Sequence, residues 1–418
     1  MLYTSVLQEK PGQTFVYLLQ ALYDCTRHVS DDLVDCLPAY GRWFRAMAEQ
    51  NQTWSDYILT QVLRSENPFS HQVQQQGLDR LPTALKAAAQ ADLEILRSLV
   101  ACDGHQLSHW VAEVSQVSPP IAWETETQAH LAQLHDQIIS PEADALTVLA
   151  DYYQQHGTGL FGEYHACRWQ GGELVGIAYP DPIQVSSLVG YEAQKATLIQ
   201  NTEFLLQGYP ALHVLLYGSR GTGKSSLIKS LLNQYGDRGL RLIEVSKADL
   251  RDLPTIVDRL RHQPQRFIIF VDDLSFEADD DAYKALKVVL EGNLTARPTN
   301  VVVYATSNRR HLVREFFADR PRPVDADEIH HWDTVQEKLS FSDRFGLTLT
   351  FEPADQATYL EIIHHLAAEA GLMLNAEDVD YQALQWATRH NGRSGRTARQ
   401  CIDFLKAAQA ISTTSSTS

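Results

Sequence analysis

The part of the sequence that decides the fold reads Gly218-Ser219-Arg220-Gly221-Thr222-Gly223-Lys224-Ser225. It matches the pattern G-x-x-x-x-G-K-[ST] at every fixed position, follows the apolar run 214–217 and precedes the helix-like segment 226–232. A buried strand, a glycine turn and a helix start are the context in which this pattern forms a phosphate-binding loop. Glycine permits the positive φ angles that bring successive backbone N–H groups around an anion. The stretch therefore predicts an α/β fold that binds a polyphosphate at a helix N-terminus.

Each part of this loop has a predicted role in binding ATP with Mg²⁺. Lys224 is expected to contact the β- and γ-phosphates, and the Ser225 hydroxyl is expected to hold Mg²⁺. The loop residues predicted to bind the nucleotide are Gly218, Ser219, Arg220, Gly221, Thr222, Gly223, Lys224, Ser225 and Ser226. ATP and Mg²⁺ are thus the cofactors that the sequence implies.

The length and composition indicate an ordinary globular protein with two to three domains. The chain has 418 residues, of which 44% are apolar and 21% are charged. It has no apolar run long enough for a membrane span, and its first residues do not have the basic and apolar regions of a signal peptide. Its five cysteines are scattered and odd in number, which favours reduced thiols and a cytoplasmic location over a disulfide framework.

The charge is strongly negative and is unevenly distributed along the chain. The net charge is −17; residues 1–180 carry 9 basic and 21 acidic side chains, and residues 181–418 carry 26 and 31. Nucleic-acid affinity rests mostly on Lys and Arg, so the acidic first part argues against broad phosphate-backbone binding. A local basic patch is compatible with these numbers, and the sequence leaves nucleic-acid binding open.

Changes in pattern along the chain divide it into five segments. Apolar residues at three- and four-residue spacing before residue 155 indicate helices, and prolines and glycines mark the change that follows. The predicted segments are a helical N-terminal domain (1–154), a β-hairpin or linker (155–182), an α/β nucleotide-binding domain (183–352), a helical lid domain (353–411) and a disordered tail (412–418). The N-terminal domain is the candidate for recognition of a protein partner, since the motifs of the nucleotide site leave it unassigned.

The α/β segment is predicted to be a doubly wound, mainly parallel sheet. Near-continuous apolar runs at 267–271 and 301–305 are typical of central parallel strands that are covered on both faces. Helix-like stretches separate the strands, as in doubly wound folds. The predicted strands are 213–217, 241–245, 267–271, 301–305 and 347–351, and the predicted lid helices are 355–370, 376–390 and 394–410.

Two aspartates directly follow the apolar strand 267–271. A parallel strand delivers its last residues to the carboxyl edge of the sheet, where such folds bind their ligands. Asp272 fits the Walker B position that orients the Mg²⁺ shell, and Asp273 is the candidate that polarises the attacking water. Beside a phosphate loop, this pair favours a metal-assisted reaction of the nucleotide.

Further polar residues follow or precede the remaining strands. Asn308, with Thr306 as its substitute, follows the strand 301–305 and could contact the γ-phosphate or the water. Arg344 precedes the fifth strand; its permanently charged, planar group suits a phosphate of a neighbouring subunit, which predicts a homo-oligomer. Arg396 opens the last helix and could reach the nucleotide from the lid, with Arg393 and Arg399 as competitors.

The order of these motifs resembles that of an AAA+ ATPase over residues 185–410, more than half of the chain. The resemblance implies that 188–192 borders the adenine, which gives Val189 and Gly190 as nucleotide contacts. It also implies that Asn308 is sensor 1, Arg344 the arginine finger and Arg396 sensor 2. Four strings more closely resemble a bacterial AAA+ group classed as a domain of unknown function: 217–226, 272–277, 305–312 and 339–347.

One position departs from the usual AAA+ pattern. Members of that class usually have Glu as the second Walker B acid, whereas this chain has Asp273, which is one methylene shorter. A general base must lie within hydrogen-bond reach of its proton. Asp273 and Glu277 are therefore both candidate catalytic carboxylates, together with the catalytic candidates Asn308 and Arg344.

The sequence supports one main function and two alternatives. The main prediction is an AAA+ enzyme that hydrolyses ATP to ADP and phosphate to remodel or load a macromolecular partner. Because Asp273 is short, a slowly hydrolysing nucleotide-dependent switch or scaffold is the first alternative. The second is a DNA-associated loader, supported only by arginines at 309, 310, 314, 320, 322, 389, 393, 396 and 399.

Overall fold

The structure is a computed structural model that describes residues 2–27, 36–127, 129–140, 144–276, 281–291, 297–308, 344–372, 375–390 and 392–415. The chain divides into two compact units, Met1–Glu163 (unit 1) and Tyr164–Ser418 (unit 2). No helix within the described ranges is long and apolar enough to cross a membrane.

Unit 1 is helical, as the spacing of its apolar residues predicts. Its described helices are α1 Lys10–Arg27, α2 Cys36–Gln50, α3 Trp54–Arg64, α4 Pro68–Gln76, α5 Thr83–Val100, α6 Gly104–Ser115, α7 Ala129–Ile139, α8 Ala145–His156 and α9 Gly159–Glu163. Side chains cap several of these helices; Thr53, for example, accepts a hydrogen bond from the backbone N–H of Asp56. Stacked aromatic rings fill the core, with the ring centroids of Phe15 and Trp54 4.3 Å apart.

Unit 2 is built on a seven-stranded sheet in the order β2-β1-β4-β5-β6-β3-β7. The strands are β1 Ala166–Gln170, β2 Glu173–Gly176, β3 Val214–Gly218, β4 Leu240–Glu244, β5 Arg266–Val271, β6 Val301–Ser307 and β7 Leu347–Phe351. All neighbouring strands are parallel except β1 and β2. The helices between them are α10 Glu192–Leu206, α11 Lys224–Tyr235, α12 Leu253–Leu260 and α13 Asp281–Glu291. This arrangement confirms the predicted α/β fold class.

The hairpin β1–β2 lies in the segment predicted as a β-hairpin or linker, and it extends the main sheet. β1 pairs in parallel with β4, in the register Cys167↔Ile243, and β2 forms the antiparallel edge. Side chains along β1 alternate as in a strand with one buried face: Cys167 and Trp169 are buried, and Arg168 between them is exposed. The Trp169 indole also donates a hydrogen bond of 2.9 Å to Asp252.

The order of the strands brings the predicted site residues to one edge of the sheet. β3 lies between β6 and β7, and β6 also pairs with β5. The registers Tyr217↔Ser307 and Val271↔Ala305 align the carboxyl ends of these three strands. The phosphate loop that follows β3 therefore lies beside the residues that follow β5 and β6.

Three helices, α14 Gln356–Ala370, α15 Ala376–Arg389 and α16 Gly395–Ser415, follow β7 and share a core of their own. Asp355 caps α14 by accepting from the N–H of Thr358, and Asn375 caps α15 by accepting from the N–H of Asp378. We call these helices the lid. α16 continues to Ser415, four residues into the segment that composition indicated as a disordered tail; residues 416–418 lie outside the described part of the chain.

A buried histidine at the start of β3 gives a pH-dependent prediction. His213 is 3% exposed, and its Nδ1 accepts a hydrogen bond of 2.9 Å from the N–H of Val303. Protonation would place a hydrogen on Nδ1 and break this bond. Burial, aided by the charge of Arg297, lowers the pKa of His213 from 6.5 to about 3. The unfolded chain therefore binds the proton first, and stability falls as the pH drops below the unfolded value.

We expect the free energy of unfolding to fall by about 2 kcal/mol from this residue alone between pH 7 and pH 5. His213→Asn keeps an acceptor near the N–H of Val303 and removes the titration. Chemical denaturation of both proteins at several pH values measures the difference in slope. Parallel curves for the two proteins between pH 5 and pH 7 would contradict this role of His213.

Candidate functional site

The backbone of the phosphate loop needs glycine at defined positions. Gly218 has φ 143°, and a Cβ there would lie 1.9 Å from the carbonyl oxygen of Phe351 on β7. Gly221 has φ 77°, and its Cβ would lie 2.8 Å from the Ser394 hydroxyl at the start of the lid helix α16. Gly223, with φ 89°, ends the turn at the N-terminus of α11. The loop therefore packs against both the sheet and the lid, and the positive φ angles and close contacts at these positions require glycine.

Lys224 lies inside this loop and is nearly buried, with 6% of its surface exposed. Its Nζ donates hydrogen bonds of 2.9 Å to the Gly218 carbonyl and 2.7 Å to the Ser219 carbonyl. Burial lowers the pKa of Lys224, and the nearby carboxylates of Asp272 and Asp273 act in the opposite direction. A desolvated ammonium group in a glycine loop interacts more strongly with an anion than an exposed one does.

Asp272 and Ser225 form an oxygen pair that suits a magnesium ion. The Ser225 hydroxyl donates a hydrogen bond of 2.7 Å to Oδ1 of Asp272, so the phosphate loop and the end of β5 meet here. The Thr306 hydroxyl donates a bond of 2.5 Å to the same carboxylate oxygen. Mg²⁺ prefers carboxylate and hydroxyl oxygens and usually keeps several waters. These two residues therefore fit the predicted metal position.

Asp273 has an uncommon backbone conformation for a residue other than glycine, with φ 50°. Its N–H donates a hydrogen bond of 3.0 Å to the Thr306 hydroxyl, and its Oδ1 accepts one of 2.7 Å from Nδ2 of Asn308. Oδ1 of Asn308 in turn accepts a bond of 3.3 Å from Nζ of Lys224. Asn308 therefore joins the loop lysine to the second aspartate, while Thr306 orients both aspartates. The sequence offered Thr306 only as a substitute for Asn308, yet the two have separate contacts.

A cavity of about 570 Å³ contains most of the predicted site residues. This volume lies within the range of small-molecule sites. The predicted residues that line it are Val189, Gly190, Arg220, Gly221, Thr222, Gly223, Lys224, Ser225, Ser226, Asp272, Asp273, Asn308 and Arg396. Gly218 and Ser219 are not among its lining residues but lie next to them in the loop, where their carbonyls accept from Lys224.

The cavity lining also includes apolar side chains that motif analysis did not identify. Ile362 and Leu366 of the lid helix α14 line it together with Leu188. Lys195, on α10, also lines it and donates a hydrogen bond of 2.6 Å to the Leu188 carbonyl, which fixes the turn before α10. Tyr191 ends that turn with φ 59°. Apolar spacing in α10 and α14 marks these residues only as core, so no sequence signal separated them from ordinary packing.

The three candidate arginines of the lid differ in position. Arg396 and Arg399 line the cavity, and the N–H of Arg396 donates a long hydrogen bond of 3.4 Å to the Gly221 carbonyl. Arg393 is not among the lining residues and donates a bond of 3.0 Å to Gln356. The structure thus favours Arg396 and Arg399 over Arg393 as lid contacts of a ligand.

Of the remaining two catalytic candidates, Arg344 does not line the cavity. Arg344 pairs with Glu291 at the end of α13, and its side chain is 18% exposed. Glu277 lies outside the described residues, so its position relative to Asp273 is not part of the structure. Within unit 2, the described site therefore contains one candidate base, Asp273.

The fold and the site together define an AAA+ module: a phosphate loop after a central parallel strand, paired aspartates on a nearby strand, and a helical lid at the same cavity. The chain belongs to the family described as "Protein of unknown function (DUF815)", which matches residues 162–409. This membership confirms the resemblance to the AAA+ group, and the match covers the sheet and the lid as far as residue 409.

Comparison with individual proteins gives more distant similarities. The chain is 31% identical over 121 residues to the Replication factor C large subunit of Staphylothermus marinus, which covers 26% of this chain and 28% of that protein. The Thermotoga maritima RuvB Holliday junction branch migration motor is 16% identical, with a TM-score of 0.38, and the match covers 56% of this chain and 67% of that one. A mutant of the same RuvB is 17% identical, with a TM-score of 0.39, over 56% and 68% of the chains.

Proposed function

We propose that this protein is an ATPase that couples hydrolysis of Mg²⁺-ATP to the remodelling or loading of a macromolecular partner. The observation that carries the proposal is the single cavity shared by the phosphate loop, both Walker B aspartates, Asn308 and two lid arginines. The phosphate loop and the lid both line this cavity. Closure of the lid over a bound nucleotide would therefore be a hinge motion that depends on the nucleotide state.

The proposal assigns a role to the main residues of the site. Lys224 binds the β- and γ-phosphates, and Ser225 and Asp272 hold Mg²⁺, which when bound would neutralise phosphate charge. Asp273 accepts a proton from the attacking water, and Asn308 orients the Asp273 carboxylate through the bond already present. Arg396 and Arg399 bind phosphate oxygens from the lid.

The proposal includes a homo-oligomer. Arg344 has the charge and geometry to stabilise a phosphate but is paired with Glu291 in its own chain and does not line its own cavity. An arginine finger that enters the site of a neighbouring subunit accounts for that position. Unit 1 contributes no described residue to the cavity and is our candidate for binding the protein partner.

Steady-state phosphate release by the purified chain in Mg²⁺-ATP tests the catalytic part of this proposal. We expect turnover that requires Mg²⁺ and that rises per subunit with protein concentration, since the finger acts between subunits. A chain that binds ATP but releases no phosphate at any concentration would refute hydrolysis and leave binding intact.

Asp273→Asn is expected to lower kcat by about 10²-fold because the amide cannot accept the proton of the water. Its carbonyl oxygen can still accept the hydrogen bond from Asn308, so ATP affinity should stay within a few-fold of wild type. Phosphate release and ATP titration measure the two effects. Glu277→Gln is the matched comparison; if it lowers kcat and Asp273→Asn does not, Glu277 is the base.

The slowly hydrolysing switch is the second candidate, and one observation favours it. Asp273 has the short side chain, and its Oδ1 is already engaged by Asn308 at 2.7 Å. In this alternative, nucleotide exchange rather than turnover sets the state of the lid. Multiple turnovers per minute that are lost in Asp273→Asn would reject the switch.

A DNA-associated loader is supported by the similarity to the Replication factor C large subunit. The net charge of −17 opposes broad binding to the DNA backbone. A titration with duplex and single-stranded DNA at low and high salt tests whether the protein binds DNA, because electrostatic binding weakens steeply with salt. Absence of saturable binding at low salt removes this alternative.

A further inference from the structure

Two cysteines of unit 1, although 11 positions apart in the sequence, lie side by side. Cys25 is in the last turn of α1, and Cys36 is the first residue of α2. The Sγ atom of Cys36 donates a hydrogen bond of 3.0 Å to the Sγ atom of Cys25. The five cysteines are scattered along the sequence, but the packing of α1 against α2 brings these two thiols into contact.

The two thiols differ in access to solvent. Cys36 is 3% exposed and belongs to the core of unit 1, whereas Cys25 is only half-buried. Burial, reinforced by the bond to Cys25 and by the charge of that sulfur, raises the pKa of Cys36 to about 12. A reagent from solvent therefore meets Cys25 first, and Cys36 remains a protonated thiol next to it until Cys25 has reacted.

We propose that Cys25 and Cys36 form a reversible disulfide when the protein meets a low-molecular-weight disulfide such as oxidised glutathione. This pair is a modification site in unit 1, which contributes no described residue to the nucleotide cavity. The inference is independent of ATP hydrolysis.

The reaction proceeds by two thiol–disulfide exchanges. The Cys25 thiolate attacks one sulfur of the small disulfide, a Cys25–sulfur bond forms, and one small thiolate leaves with the electron pair and takes up a proton. Cys36 then loses its proton to solvent and attacks Sγ of Cys25, which displaces the second small thiolate. The two cysteines lose two electrons and two protons in total, and the small disulfide is reduced to two thiols.

The neighbouring thiol makes the second exchange intramolecular. Sγ of Cys36 lies 3.0 Å from Sγ of Cys25. The Cys36 thiol is therefore present at high effective concentration next to the mixed disulfide and can attack it. The mixed disulfide at Cys25 should therefore be short-lived in the wild-type protein and persistent when Cys36 is absent. This difference separates a reacting pair from two thiols that merely pack together.

The full chain, first reduced and then exposed to oxidised glutathione, tests the proposal. We expect a loss of ~2 Da in the intact mass, the two hydrogens of one disulfide. Trypsin cleaves after Arg27, between the two cysteines, so the bond joins the peptide that ends at Arg27 to the peptide 28–42. Dithiothreitol should separate the two peptides and restore the mass.

Three variants give the controls. Cys36→Ser should accumulate glutathione on Cys25, and Cys25→Ser should give no linked peptide. Cys102→Ser removes another half-buried thiol and should behave as wild type. Oxidation should also raise the Tm of unit 1 by roughly 5 °C in wild type and Cys102→Ser only, because the bond restricts the unfolded chain.

Three results would overturn the proposal. The first is stable glutathione on Cys25 of the wild-type protein with no linked peptide. The second is no reaction at either cysteine while Cys102 reacts. The third is a Cys36→Ser protein that is folded by circular dichroism and carries no more adduct on Cys25 than wild type. Each outcome would mean that the two sulfurs pack together without exchanging.

Discussion

Lys224→Ala is expected to weaken ATP binding by about 10²-fold and to abolish measurable turnover, because it removes the ammonium group that we propose binds the phosphates. Lys224 is 6% exposed, so its charge acts where solvent screens little. Calorimetric titration with ATP and with ADP in the presence of Mg²⁺ measures the loss. The effect should be larger for ATP, since the γ-phosphate is one of the groups that Lys224 is predicted to contact.

Lys229→Ala is the matched control for this experiment. Lys229 lies on the same helix, α11, but its side chain is 38% exposed and its Nζ lies 3.9 Å from Asp181. The Lys229→Ala protein should bind ATP with the affinity of wild type, whereas the Lys224→Ala protein should bind it more weakly. A thermal unfolding scan checks that both variants are folded, which matters because Nζ of Lys224 also donates hydrogen bonds to the carbonyls of Gly218 and Ser219. Equal ATP affinity in both variants would disprove phosphate binding by the loop.

The phosphate loop and the strands around it could be predicted because their signals are local. The motif 218–225 fixes a strand before it and a helix after it, and the apolar runs at 267–271 and 301–305 coincide closely with β5 and β6. The aspartates that follow β5 reach the cavity because carboxyl ends of neighbouring parallel strands meet at one edge. The fold class and the family resemblance were confirmed; the roles of the site residues remain predictions.

Other features depend on contacts between distant parts of the chain, which periodicity does not reveal. Trp169 and Cys167 look like residues of an isolated hairpin until β1 pairs with β4. Thr306 was a substitute candidate, yet its hydroxyl bridges Asp272 and the backbone of Asp273. Lys195 carries no motif, and its contact with the Leu188 carbonyl arises only from the turn before α10.

Arg344→Ala is expected to lower turnover by on the order of 10³-fold while ATP binding stays nearly unchanged, as for an arginine finger supplied by a neighbouring subunit. The ion pair with Glu291 offers a competing explanation, since the variant also breaks that contact. Glu291→Gln separates the two, because it weakens the ion pair and keeps the guanidinium group. If the finger role is right, Glu291→Gln retains turnover and Arg344→Ala does not.

Mixing two inactive variants tests whether Arg344 acts across subunits. Lys224→Ala lacks a working phosphate loop but keeps Arg344, and Arg344→Ala has an intact loop but no finger. In a mixed oligomer, an Arg344→Ala subunit can meet the arginine of a Lys224→Ala neighbour, so turnover should reappear on mixing and depend on the ratio of the two. A finger that acts within its own chain gives no recovery at any ratio, because neither subunit then holds both groups. Recovery by mixing would therefore establish the shared site and the oligomer in one measurement.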